Sequence, residues 1–169
     1  MEQDHRSSHQ FSKLKEWKKV FETDLSTVSL DLISVINTPA VIFLSGDLGA
    51  GKTTFSKILV DNFLQAQFSK NDGIDVTSPT YSLIHELGPV VHADLYRIDE
   101  PEELIHLELE LYLDQKELFL VEWGSKFFDQ VYTQIPEGWS IYELEITSDS
   151  SSQDSIKTFR NYQLLTFLM

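Results

Sequence analysis

One octapeptide constrains this chain more than any other feature: Gly46-Asp47-Leu48-Gly49-Ala50-Gly51-Lys52-Thr53. It matches G-x-x-x-x-G-K-[ST] at every fixed position. Glycines at this spacing let successive backbone N–H groups turn inward around phosphate oxygens with no Cβ in the way. A helix starting near Lys52 aims its positive end at the same oxygens. The pattern has Lys52 reach the β- and γ-phosphates and the Thr53 hydroxyl ligate Mg²⁺. The flanks fit this reading. Ala40–Leu44 is a short apolar run with β-branched residues, the pattern of a fully buried parallel strand. Beyond the loop, Phe55, Ile58, Leu59, Phe63 and Ala66 place one apolar face on a helix over about 52–66. A Gly-rich turn without a ligand would leave Lys52 unexplained.

The rest of the chain alternates in the same way. Leu25, Val28, Leu32, Val35 and Ile36 recur at helical spacing, capped by Asp24 or Ser26 and ended by Asn37-Thr38-Pro39. Residues 67–80 are loop-like. Ser82–Leu87 and Val90–Leu95 read as a hairpin across Gly88-Pro89. A short helix starts at Glu100 or Pro101 and runs through Leu104 and Leu107. Glu117–Trp123 has a buried-strand centre, and Trp139–Thr147 alternates as a strand near the sheet edge does. Phe159–Leu168 reads as a last strand in preference to a short helix. The expected architecture is a three-layer α/β fold, nucleotide-triphosphatase-like, with a mixed, mostly parallel sheet flanked by helices.

Charge divides the chain. Thirteen Lys and Arg face 27 Asp and Glu, a net of −14. Residues 1–20 carry five basic and three acidic side chains, and read as a flexible basic leader ahead of a single ATPase domain over 21–169. The acidic remainder argues against holding nucleic acid or an anionic membrane across the whole surface. From Asp94 to Glu122 inclusive there are ten acidic residues and two basic ones. They form a solvated helix face, or a docking surface or cation site. Cysteine is absent, which excludes disulfides, zinc-thiolate sites and cysteine catalysis. The first twenty residues lack an apolar signal core, and the apolar runs fall far short of the ~20 residues of a membrane helix. A cytoplasmic location is expected.

Other side chains join the loop as candidates. Glu122 ends the apolar run Leu118–Val121, at the strand edge where open α/β sheets bind ligands. It is either the metal-side carboxylate or an exposed strand-end Glu. Asp94 ends Val90–Ala93; it orients the attacking water, acts as a base or meets the metal through water, or else it caps or pairs structurally. Arg97 steadies phosphate charge or pairs with the acidic stretch. His92 shares a strand face with Asp94 and reads as a hydrogen-bonded packing residue, and Trp123 as a packing ring. Thr80, in Ser78-Pro79-Thr80-Tyr81, senses a γ-phosphate or belongs to an ordinary turn.

Five segments occur in order: GDLGAGKTTF (46–55), SPTY (78–81), HADLYR (92–97), PEEL (101–104) and LVEW (120–123). Together they resemble the bacterial TsaE (YjeE) family, the ATPase component of the tRNA threonylcarbamoyladenosine machinery. The resemblance spans roughly residues 24–147. It implies ATP with Mg²⁺ bound by the loop (Asp47, Leu48, Gly49, Ala50, Gly51, Lys52, Thr53 and Thr54), with Thr53 and Glu122 on the metal. It implies Asp94, Glu122 and Lys52 in catalysis and Thr80, Arg97 and Trp123 near the nucleotide. It further implies action through a TsaD–TsaB heterodimer, with tRNA met only through those partners. Two positions depart from the family pattern. Glu108 stands where the family usually has glycine in an L-G-L turn, so the turn differs or the helix runs on. Gly124 stands where proline is common.

Two other classes use the same loop. A small-molecule kinase would carry lid arginines, which are scarce after residue 53. A nucleotide-dependent binding switch would have negligible turnover. A GTPase would need N-K-x-D, which does not occur.

Overall fold

A computed structural model describes residues 11–67, 83–148 and 159–168. The loop-bearing strand β2 (Ala40–Ser45) lies inside a seven-stranded sheet. It runs parallel to β5 (Leu118–Glu122) on one side and β6 (Ser140–Ser148) on the other. A strand flanked on both edges and both faces has no solvent side, so Ala40–Leu44 and Leu118–Glu122 are apolar almost throughout and wholly buried. β4 (Val90–Asp94) pairs parallel with β5, and β3 (Ile84–Leu87) closes that edge as the antiparallel arm of a hairpin.

The pleat sends alternate residues to opposite faces. Ile42, Leu44, Leu118 and Leu120 meet α1 (Leu25–Val35) and α2 (Lys52–Gln67) through Leu32, Phe55, Leu59 and Phe63. Val41, Phe43, Phe119 and Val121 face a second core. Short helices complete it: α3 (Pro101–Ile105), α4 (Leu109–Tyr112) and α5 (Phe128–Tyr132), through Leu104, Leu109, Phe128 and Val131. The expected three-layer α/β fold with a mixed sheet is present, and its four central strands are all parallel. Among the described residues no helix is long and apolar enough to cross a membrane.

Two expectations are corrected at the far edge. Residues 11–20 belong to no flexible leader: they form β1 (Phe11–Val20), antiparallel to β7 (Arg160–Phe167). The Trp17 indole N–H donates to Asp31 Oδ2 at 2.8 Å, and Lys15 Nζ donates to Asp31 Oδ1 at 2.6 Å, tying β1 to α1. The lysines that masked this strand are what an outermost strand carries to discourage pairing with other chains. β6 is correspondingly interior, third from that edge, because β7 and β1 extend the sheet beyond it.

The turn at residues 106–108 is made without glycine, and the helix does not run on. α3 stops at Ile105, Glu108 adopts a left-handed conformation (φ 47°, ψ 53°), and α4 starts at Leu109. Gln134 staples the junction: its Oε1 accepts from Leu109 N at 2.8 Å and its Nε2 donates to Leu104 O at 3.3 Å.

Candidate functional site

Parallel strands β2, β5 and β4 end together, and the loop 46–51 leaves from that edge into α2. Gly46 is required there on two counts. Its φ is +143°, and a Cβ would lie 2.3 Å from the Ile146 carbonyl oxygen of β6. Ala50 N donates to Asp47 O at 3.0 Å, closing the loop as a turn, while Asp47, Leu48, Thr53 and Thr54 stand exposed on its rim.

Lys52 is buried, although it is the first residue of α2. Its Nζ donates to the carbonyls of Gly46 (2.7 Å) and Asp47 (3.0 Å) and sits 3.7 Å from the centroid of the Trp123 ring. Burial pushes its pKa below the usual lysine value, against the opposing pull of Glu122, Asp47 and Asp94. Trp123 reaches this position with φ 61°, a left-handed backbone that a bulky residue adopts only under constraint. Tyr96 packs against it at 5.1 Å between centroids. Gly124 provides the space beneath, since a Cβ there would lie 2.4 Å from Val121 Cγ1. Any residue with a Cβ, proline included, would require Val121 to move.

Glu122 is no exposed strand-end acid; it is 1% exposed. Thr53 Oγ1 donates to its Oε2 at 2.7 Å, Ser56 Oγ donates to Oε1 at 2.9 Å, and His92 Nε2 lies 2.8 Å from Oε1. Burial by itself would raise the carboxyl pKa. The hydrogen bonds from His92, Thr53 and Ser56, with the charge of the imidazole when protonated, outweigh it and hold the group below 4.5. A carboxylate so ionised, touching the hydroxyl of the phosphate-loop threonine, has the chemistry of a magnesium site. Mg²⁺ takes one or two protein oxygens and fills its shell with water and phosphate. Consistent with that division, no group of three or more His, Asp or Glu among the described residues could hold a metal alone.

The β4–β5 register places Asp94 beside Glu122. Asp94 Oδ1 accepts from Tyr96 N at 3.1 Å, which orients the carboxylate and turns the chain toward Trp123. This bond closes a turn and caps no helix, since the next helix starts at Pro101, and it leaves the second oxygen without a hydrogen bond to any described residue. Arg97 is exposed and forms no ion pair with a described residue, so the acidic stretch does not hold it there. Thr80 lies outside the described residues.

His92, read from the sequence only as a hydrogen-bonded packing residue, belongs to the site, and Ser56 escaped the sequence reading altogether. His92 is bonded directly to the central carboxylate; the signal was its i, i+2 relation to Asp94, which puts both on the face that Glu122 shares. Ser56 lies one turn beyond Lys52, a lone buried hydroxyl in the apolar stripe of α2, and holds both Lys52 O and Glu122.

Comparison with known proteins gives the family. The family profile of "Threonylcarbamoyl adenosine biosynthesis protein TsaE" matches residues 20–156. Proteins named tRNA threonylcarbamoyladenosine biosynthesis protein TsaE are similar to this chain. The one from a Nostoc species is 34% identical over 128 residues, 67% of this chain and 72% of that protein. The one from Bacillus subtilis is 31% identical over 125 residues, 70% of this chain and 72% of its own length. The one from Haemophilus influenzae is 36% identical over 90 residues, and there the match spans about half of each chain, 51% and 52%. With a profile match running from the end of β1 past β6, and with the phosphate loop, Asp94 and the Glu122–Trp123 pair on one sheet edge, this chain belongs to the TsaE family.

Proposed function

We propose that the chain is the ATP-binding and ATP-hydrolysing subunit of the machinery that makes threonylcarbamoyladenosine beside the tRNA anticodon. It acts through the TsaB–TsaD heterodimer, and tRNA is met only through those partners. The observation that carries the reading is the 2.7 Å contact between Thr53 and the buried Glu122 at the start of the helix whose first residue is Lys52. A hydroxyl, an ionised carboxylate and a lysine converge there on a loop whose glycines leave room for phosphate.

In this reading the backbone from Asp47 to Thr54 cradles the β- and γ-phosphates, and Lys52 exchanges its two carbonyl partners for phosphate oxygens. Thr53 and Glu122 hold Mg²⁺, which neutralises phosphate charge when bound. Asp94, with one oxygen anchored and the other bonded to no described residue, orients the attacking water. The water oxygen bonds to the γ-phosphorus as the bond to the β-phosphate oxygen breaks, giving ADP and phosphate. Arg97 and Thr80 attend the γ-phosphate from their own segments. Because Lys52 is held by loop carbonyls beneath Trp123, turnover by the chain alone is slow, and the partners accelerate it.

The test is ATP turnover by the purified chain, alone and with the two partner subunits. The expected result is slow release of phosphate that rises on adding partners and disappears in Asp94→Ala. Phosphoryl transfer to a metabolite, with no partner effect, would point to a kinase instead. ATP binding with no turnover under either condition would leave a binding switch.

A further inference from the structure

A second cation borders the phosphate loop. Arg160 opens β7, in register with Ser148 at the end of β6, and this brings it to the flank of the loop opposite β5 and β4. Its guanidinium lies against Gly51. Nε, Cζ and Cδ are 3.3, 3.4 and 3.7 Å from the point a Cβ on Gly51 would occupy. Gly51 therefore serves two ends: it takes φ +98°, and it admits a planar cation to the side of the loop.

Among the described residues that cation has no counter-ion. In a chain with 27 acidic residues, the Arg160 guanidinium forms no ion pair or hydrogen bond with a described residue. Its Nε is buried without an acceptor. Burying an N–H with no acceptor is unfavourable, and such a group in a folded protein calls for an explanation. Guanidinium is the side chain best shaped to take two phosphate oxygens at once.

We infer that Arg160 is a nucleotide-binding residue that holds the phosphate next to the nucleoside. This rests on the reading of the loop as an ATP site. Lys52, Thr53 and Glu122 define where the terminal phosphates lie, toward β5. The polyphosphate then runs across the loop with its nucleoside end toward β6 and β7. Arg160 stands on that side, so its partner is the α-phosphate, at the end of the chain of phosphates away from Lys52 and Arg97.

Calorimetric titration of ATP, GTP and inorganic tripolyphosphate into wild type, Arg160→Gln, Arg160→Lys and Lys52→Ala tests this. Circular dichroism first confirms that each variant is folded. The contact is to phosphate, so Arg160→Gln is expected to weaken all three ligands by about tenfold or more. Arg160→Lys keeps the charge without the fork and is expected to fall between the wild type and Arg160→Gln. If Arg160→Gln does not fold, Arg160→Lys alone carries the test, and wild-type affinity in it overturns the inference. Unchanged ATP affinity in Arg160→Gln overturns it also. So does a loss confined to ATP or GTP and absent for tripolyphosphate, which would mean stacking on a base. A wild type that binds no ligand overturns the ATP-site reading itself. Binding abolished by Lys52→Ala but untouched by Arg160→Gln overturns this inference alone.

Discussion

The Lys52 ammonium lies 3.7 Å from the centre of the Trp123 ring, and the ring is held there by a left-handed backbone at φ 61°. A cation over an indole gains about 0.5–2 kcal/mol, comparable to the strain of such a backbone. The two are coupled. Moving the ammonium toward a phosphate changes the environment of the ring. In a Trp17→Phe, Trp139→Phe background, ATP should therefore change Trp123 emission, and Lys52→Ala should abolish the change. Constant emission at ATP concentrations that saturate the protein by calorimetry would show that Lys52 does not leave the ring.

Lys52 also opposes the stability of the fold it serves. Its pKa is lower folded than unfolded, first because it is buried. The charged form is thus disfavoured in the folded state at neutral pH. That penalty lifts as pH rises from the folded pKa toward 10.5, the ordinary value. Lys52→Met removes the charge and keeps the stem. It should lose ATP binding without lowering the melting temperature at pH 7. In the wild type, ATP affinity should decline with rising pH before pH 10.5 is reached. A Lys52→Met protein that melts well below wild type would contradict the account.

Glu122 behaves in the opposite sense. Its folded pKa is depressed, so the stabilisation it provides is fully present above about pH 4.5 and is lost as pH falls through the lower folded value. Glu122→Leu leaves the Thr53 hydroxyl and the His92 ring nitrogen without this acceptor, while Ser56 keeps the Lys52 carbonyl. At neutral pH this should cost about 2–4 kcal/mol, given about 1.5–3 kcal/mol for a hydrogen bond to a charged group and incomplete additivity. The difference in melting temperature between the two proteins should shrink on acidification. A difference that stays constant from pH 7 to acid would mean that the carboxylate charge is not what these donors stabilise.

Glu108 should be improvable. A left-handed conformation costs a residue with a Cβ about 1–2 kcal/mol relative to a right-handed one, and glycine escapes that cost but loses more chain entropy. Glu108→Gly should stabilise the protein by about 0.5–1 kcal/mol, a rise of a few degrees in melting temperature. Glu108→Ala, which keeps the Cβ, should not. Equal effects of the two substitutions would place the gain in the removed charge instead of the backbone.

The phosphate loop, the buried strands 40–44 and 118–122 and the long helix after the loop were legible because their patterns are local. Glycine spacing, an apolar run and a 3.6-residue period need no knowledge of what lies across the sheet. The short helices α4 and α5 were missed because four or five residues contain too little of a period to register. β1 was misread because an outermost strand rich in lysine has the composition of a leader. The position of β6 was misjudged because alternation in a strand does not say how many strands follow it.

The chemistry divides along the same line. By itself the sequence determined that a glycine-rich loop carrying Lys52 and Thr53 joins a buried strand to a helix and that Glu122 and Asp94 end apolar strands, because each is written within a few consecutive residues. Only the tertiary structure decided that His92, Thr53 and Ser56 converge on Glu122, that Trp123 covers Lys52, and that Arg160 lies against Gly51. Those contacts join residues dozens of positions apart. They depend on strand order and register, which follow from the packing of whole strands and helices and from no single stretch of chain.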